Sequence, residues 1–112
     1  MSIAGDLIRG HTDAIILARL LQSDSYGNEI NKTISTLSSG QFELKEDTLY
    51  TAFKRLEEQG CIASYWGDSG AGARRRYSTI TPEGREVCHR LLREWQETKQ
   101  IMDQLLRSEG SI

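Results

Sequence analysis

From Thr81 onward the chain carries one helical pattern too long for a domain of this size to bury. Thr81-Pro82-Glu83-Gly84 opens it. Thr81 suits an N-cap, Pro82 the first helical position and Glu83 the positive end of the helix dipole. Cys88, Leu91, Trp95, Thr98, Met102 and Leu105 then recur at spacings of 3, 4, 3, 4 and 3, with Leu92, Ile101 and Leu106 widening the stripe. That is a heptad seam. Continued to about residue 108, the helix is about 40 Å long at about 1.5 Å per residue. A chain of 112 residues, 38% of them hydrophobic, makes one domain with a modest core. That core covers only the first part of the helix. A second copy of the chain is the natural cover for the rest, so the seam predicts a homodimer.

The N-terminal half holds three shorter helical periods. Leu7, Ile8, Ala14, Ile15, Leu17, Ala18, Leu20 and Leu21 spread round most of a helix circumference. They predict one helix from about residue 6 to about residue 22, buried on several sides. Polar turn formers at 23–25 end it. Tyr26, Ile30, Ile34 and Leu37, at intervals of 4, 4 and 3, predict a second helix over residues 26–38, closed by Ser38-Ser39-Gly40. Residues 41–44 read as a short extended piece. In residues 45–60, KEDTLYTAFKRLEEQG, a stripe of Leu49, Phe53 and Leu56 with Ala52 beside it predicts a third helix. Gly60 suits its left-handed stop.

The outer face of that third helix carries Asp47, Thr51, Lys54 and Glu58, flanked by Thr48, Tyr50 and Arg55. Hydroxyls, a phenol and two cations suit phosphates and base edges. A helix, a short connection and a second helix with a polar outer face give the helix-turn-helix outline. Beyond Gly60 the period changes. Residues 61–66 predict a strand with Ile62, Ser64 and Trp66 on one side and Ala63 and Tyr65 on the other. Residues 67–72, with three glycines, predict a turn, and Arg74–Ile80 the returning strand. A two-stranded ribbon is marginal alone, so it must lean on the helices. Arg74, Arg75 and Arg76 beside the glycine-rich turn can enter a minor groove or clamp phosphate. The plainer alternative is a charged edge strand that resists aggregation. Helix-turn-helix followed by a basic hairpin is the winged-helix layout. The expected fold is mainly α with a small β-hairpin: a winged helix-turn-helix over residues 1–81 and a long C-terminal dimerisation helix over residues 82–112.

Five stretches carry a family resemblance: Tyr26-Gly27-Asn28-Glu29-Ile30, Thr48-Leu49-Tyr50, Arg55-Leu56-Glu57 with Gly60, Arg74-Arg75-Arg76-Tyr77 and Thr81-Pro82-Glu83-Gly84. Together and in this order they resemble the PadR-like transcriptional regulators, along the whole chain. The resemblance implies a dimeric winged-helix repressor whose C-terminal helix builds the dimer, of the smaller size class. The family commonly has serine or proline at Lys45, glycine at Asp47 and proline at Thr51. These departures lie at the start of the recognition helix and bear on operator sequence, not on class of function. Some members take flat aromatic ligands at the dimer interface. That implies a planar aromatic effector for Leu91, Trp95, Thr98 and Met102, with Leu7 and Ile8 completing the site; the plainer alternative, favoured by the heptad position, is that Trp95 is packed dimer core.

The expected partner is double-stranded DNA with a pseudo-palindromic operator, its two recognition helices about 34 Å apart. The residues expected on it are Thr48, Tyr50, Thr51, Lys54, Arg55, Arg74, Arg75 and Arg76, with Thr48 and Thr51 facing base edges. Net charge is −2, so attraction to DNA must come from a local patch. The competing reading is a winged helix that binds an acidic protein through the same arginines. No nucleophile–base pair, carboxylate dyad or phosphate loop points to an enzyme, and no cofactor is implied. Cys61, Cys88, His11 and His89 lack metal-ligand spacing, and Cys61 reads as a small buried hydrophobe. The longest apolar run, residues 14–21, is interrupted by Arg19 and too short to span a bilayer. The N-terminus has no apolar signal region, so the expected location is the cytoplasm.

Overall fold

The chain folds as five helices and one hairpin in a computed structural model that describes residues 3–68 and 74–107. Their order is α1 (Ile3–Arg9), α2 (Thr12–Gln22), α3 (Gly27–Leu37), α4 (Glu46–Glu58), β1 (Ile62–Asp68), β2 (Arg74–Ile80) and α5 (Pro82–Leu106). This is the mainly helical winged layout that the periodicities predict. Most of the predicted turn, residues 69–72, lies outside the described residues.

The first helix departs from expectation. A single helix over residues 6–22 is replaced by α1 and α2, broken at Gly10 and His11. Gly10 is a weak helix former. The buried Thr12 hydroxyl donates to the Arg9 carbonyl at 2.6 Å, which satisfies the end of α1 where the helix would have continued. Among the described side chains, those of α1 stay outside the core cluster, and those of α2 enter it. Ile16, Leu17 and Leu20 of α2 are buried against α4, β2 and α5.

Residues 41–44 are not a sheet strand. After α3, Ser39 and Gly40 both take positive φ, 55° and 77°, and turn the chain back. The Asn31 side chain then brackets Leu44, accepting from its N–H at 2.8 Å and donating to its carbonyl at 2.7 Å. Ser38 Oγ similarly accepts from the Phe42 N–H at 3.0 Å. With their backbone groups satisfied by side chains, Phe42 and Leu44 bury in the core beside Ile30 and Ile34.

In α4, Leu49, Ala52 and Leu56 are buried, while Phe53, expected on the same stripe, is only partly so. The helix stops on Gly60 with φ 76°, where Cys61 N–H reaches the Leu56 carbonyl at 2.9 Å and Gly60 N–H the Glu57 carbonyl at 3.0 Å. That is the Schellman bond pair. β1 and β2 pair antiparallel from Ile62↔Ile80 to Asp68↔Arg74. Ser25, between α2 and α3, exchanges two backbone bonds with Ser78, 3.2 and 2.7 Å long, and adds a one-residue third strand. This tie and the buried pair Ile62 and Ile80 hold an otherwise marginal ribbon to the helices.

Thr81 caps α5 as expected, accepting from the Gly84 N–H at 3.0 Å. Its hydroxyl also donates to the Gly60 carbonyl at 2.6 Å, and its N–H to the Cys61 carbonyl at 3.0 Å. Any side chain on Gly84 would collide with that Cys61 carbonyl. The start of α5 is therefore locked to the end of α4. Cys88 and Gly84 are the buried residues of α5. Farther along the seam Trp95 is 43% exposed, Met102 44% and Leu105 72%.

Candidate nucleic-acid interface

The helix pair α3 and α4 crosses at Gly27. A Cβ there would lie 3.3 Å from Leu49 Cδ2, 3.4 Å from Tyr50 Oη and 3.5 Å from Phe53 Cε2. A methyl group there would fit closely, with the Leu49 side chain giving way by a few tenths of an ångström. The crossing seats Tyr50 and Phe53 edge to face, with ring centroids 6.2 Å apart. Phe53 packs against the core on one side and lines a surface cleft on the other. Tyr50, Thr51 and Lys54 are exposed on the outer side of α4, and Thr48 is half-buried.

The wing forms the second wall. Tyr65 and Tyr77, opposite each other in the strand pairing, stack at 5.6 Å. Tyr26 meets Tyr77 edge-on at 5.3 Å. The Tyr65 hydroxyl donates to Asp24 Oδ2 at 2.7 Å, and this bond to an anion raises its pKa. Gly67 leaves room for the Tyr77 ring, which a Cβ would approach to 2.6 Å. This aromatic block braces the hairpin against the start of α3. Each wing arginine has its own support. Arg75 lies over the Tyr26 ring at 4.6 Å and Arg74 over Trp66 at 5.6 Å. Arg76 Nη2 sits 3.5 Å from both Glu57 carboxylate oxygens.

Between α4 and the wing lies a cleft of about 530 Å³, lined by Tyr26, Asn28, Tyr50, Phe53, Lys54, Glu57, Ser64 and the three arginines. It brings together Tyr50, Lys54, Arg74, Arg75 and Arg76 of the predicted residues. Thr48, Thr51 and Arg55 lie on the other flank of α4, in a shallow hollow of about 320 Å³ shared with Arg9, Thr12 and Asp47. Arg55 is turned toward α2, where its Nε reaches Asp13 Oδ2 at 3.4 Å and its Nη2 reaches Asp13 Oδ1. The hydrogen bond to Asp13 raises the Arg55 pKa. Tyr26, Asn28, Phe53 and Arg9 were missed as lining residues. Tyr26-Gly27-Asn28 was legible as a motif, but its facing the wing depends on the fold.

The predicted effector residues divide in the same way. Leu91 and Trp95 line a largely apolar groove of about 420 Å³ together with Ile8, His11, Ile15, Ala18, Leu37 and Phe42. The His11 ring meets Trp95 edge-on at 5.2 Å. Thr98 borders a neighbouring hollow with Arg9 and Arg90. Leu7 is exposed and, like Met102, lies outside the groove. Among the described residues, no group of three His, Cys, Asp or Glu could hold a metal ion. Nor is any helix among them long and apolar enough to cross a membrane. Cys61 and Cys88 are buried, and that burial raises both thiol pKa values.

The sequence pattern of the transcriptional regulator PadR-like family matches residues 16–90, from the second turn of α2 into α5. The chain belongs to the PadR-like family. It is 42% identical to a transcriptional regulator of Clostridium thermocellum, with a TM-score of 0.84 over 95% of this chain and 100% of that one. A PadR family transcription regulator from hypervirulent Clostridium difficile is 36% identical, with a TM-score of 0.75 over 87% and 99% of the two chains. An uncharacterised protein of Lysinibacillus sphaericus is 44% identical over 101 residues, 90% of this chain and 93% of its own length. The PadR family comprises DNA-binding transcriptional regulators, not enzymes, and the winged fold described above matches structures of that family.

Proposed function

We propose that this PadR-like regulator is a homodimeric repressor, acting in the cytoplasm on a pseudo-palindromic operator. The observation that carries the reading is the cleft: Tyr50 and Lys54 of α4 and Arg74, Arg75 and Arg76 of the wing open onto one solvent-facing concavity. A helix of this size fits the major groove, and a basic hairpin beside it meets the adjacent backbone or minor groove. Thr48 and Thr51 on the outer face of α4 are the base-reading candidates, and Arg55 binds phosphate once it leaves Asp13. Residues 82–112 form the dimerising unit and residues 1–81 the DNA-binding unit. The uncovered apolar seam of α5 supports pairing with a second copy. A planar aromatic effector would seat against Trp95 and Leu91 in the apolar groove and release the operator.

A mobility shift on the fragment upstream of the protein's own gene, repeated over a range of salt, tests this. The expected result is retardation whose affinity falls steeply with salt. Absence of a shift at low salt would favour the protein-interaction reading instead.

A further inference from the structure

The cations beside α4 are not all free to meet DNA. Arg55 is held by Asp13 of α2, and Arg76 by Glu57, which stands within the cleft itself. Both pairs join different elements, over sequence separations of 42 and 19 residues. All four side chains keep a substantial part of their surface in water. Exposed ion pairs of this kind contribute little to stability. They do place one carboxylate on each flank of the recognition helix, where a duplex would bring its two phosphate backbones. A bound phosphate must displace the carboxylate from its arginine and then lie close to that negative charge.

We infer that Asp13 and Glu57 set the affinity threshold that a DNA sequence must exceed to be held, competing with phosphate for Arg55 and Arg76. Binding driven by phosphates alone suffers this competition on any sequence. Only a duplex that also matches the base-reading face of α4 offsets it. The two acids thus weaken both kinds of binding, and bring arbitrary DNA, which has no base contacts in reserve, below useful affinity while the operator stays above it.

This inference rests on the reading that α4 and the wing hold DNA, and the test separates the two. Asp13→Asn and Glu57→Gln keep side-chain shape and remove only charge; thermal unfolding establishes that each variant folds. Glu57→Ala serves if the glutamine variant does not. Each is titrated with a 30-base-pair duplex of mixed sequence and with the upstream fragment, over a range of salt. Arg55→Ala and Arg76→Ala run alongside. Each charge-removed variant should bind the mixed duplex about fourfold more tightly, the effect of a unit charge about 5 Å from a phosphate in water. Its salt slope should steepen, and it should retain the mixed duplex at protein concentrations where the unaltered protein retains only the upstream fragment. If the arginine variants weaken binding while Asp13→Asn and Glu57→Gln leave the mixed duplex unchanged or weaken it, the carboxylates merely position the arginines and the inference is overturned. If the arginine variants also change nothing, the interface reading fails and this inference fails with it.

Discussion

At the scale of single residues, the interface divides side chains that supply charge from those that supply shape. Lys54 and Arg75 line the cleft as cations, and Tyr26 supports Arg75 from below. Lys54→Ala or Arg75→Ala should weaken binding on every duplex tested and flatten the salt slope by about one unit each in a salt titration. Tyr50→Phe should cost less, because it loses only a hydroxyl. Shape is set by glycines at two points. Gly84→Ala would drive a methyl group into the Cys61 carbonyl, so it should lower stability by about 3 kcal/mol or more in denaturant unfolding. At Gly60 there is open space and the objection is conformational, so Gly60→Ala should cost only about 1–2 kcal/mol. The thiols offer a separate check. Burial raises the pKa of Cys61 and Cys88, so a thiol reagent at neutral pH should label neither in the native protein and both after unfolding.

At the scale of elements, the joint between α4 and α5 is the mechanical centre of the chain. Thr81 both caps α5 and bonds the Gly60 carbonyl at the end of α4, so the end of α4 is tied directly to the start of α5. Thr81→Ala should cost about 1 kcal/mol or slightly more by thermal unfolding, with Thr81→Ser restoring most of it. This joint was partly legible in the sequence, because Thr-Pro-Glu-Gly is a local signal for a helix start. The third helix, the hairpin and the long last helix were legible for the same reason: each declares itself within its own period. What was not legible depends on distant partners. The break at Gly10 and His11 hides inside an apolar pattern that continues across it. Phe42 and Leu44 enter the core only because Asn31 and Ser38 satisfy their backbone. Arg55 looked like a plain phosphate ligand because Asp13, its partner, lies far away in the chain. Phe53 packs against the core as its stripe predicts, but the stripe does not reveal that its outer edge also lines the cleft.

At the scale of the whole molecule, α5 projects an apolar seam that the single chain leaves largely bare. Truncation after Gly84 should give a monomer or an insoluble chain, and a truncated protein that sediments as a dimer would refute pairing through α5. Trp95 distinguishes two uses of the same seam. In a Trp66→Phe background, planar cationic dyes that seat in the groove should quench Trp95 saturably. Trp95→Ala should then lose the dye and keep the dimer. If Trp95 is purely dimer core, dyes should leave its fluorescence unchanged and Trp95→Ala should loosen the dimer by about 3–5 kcal/mol. The central claim, however, is that α4 and the wing together hold DNA, and it has one direct measurement. Arg74, Arg75 and Arg76 are replaced together by alanine, and affinity for the upstream fragment is followed from low to moderate salt beside the unaltered protein. The account predicts a large loss of affinity at low salt and a salt slope flatter by about one unit for each phosphate that is no longer neutralised. Unchanged affinity with an unchanged slope, in a variant that still folds and dimerises, would contradict it.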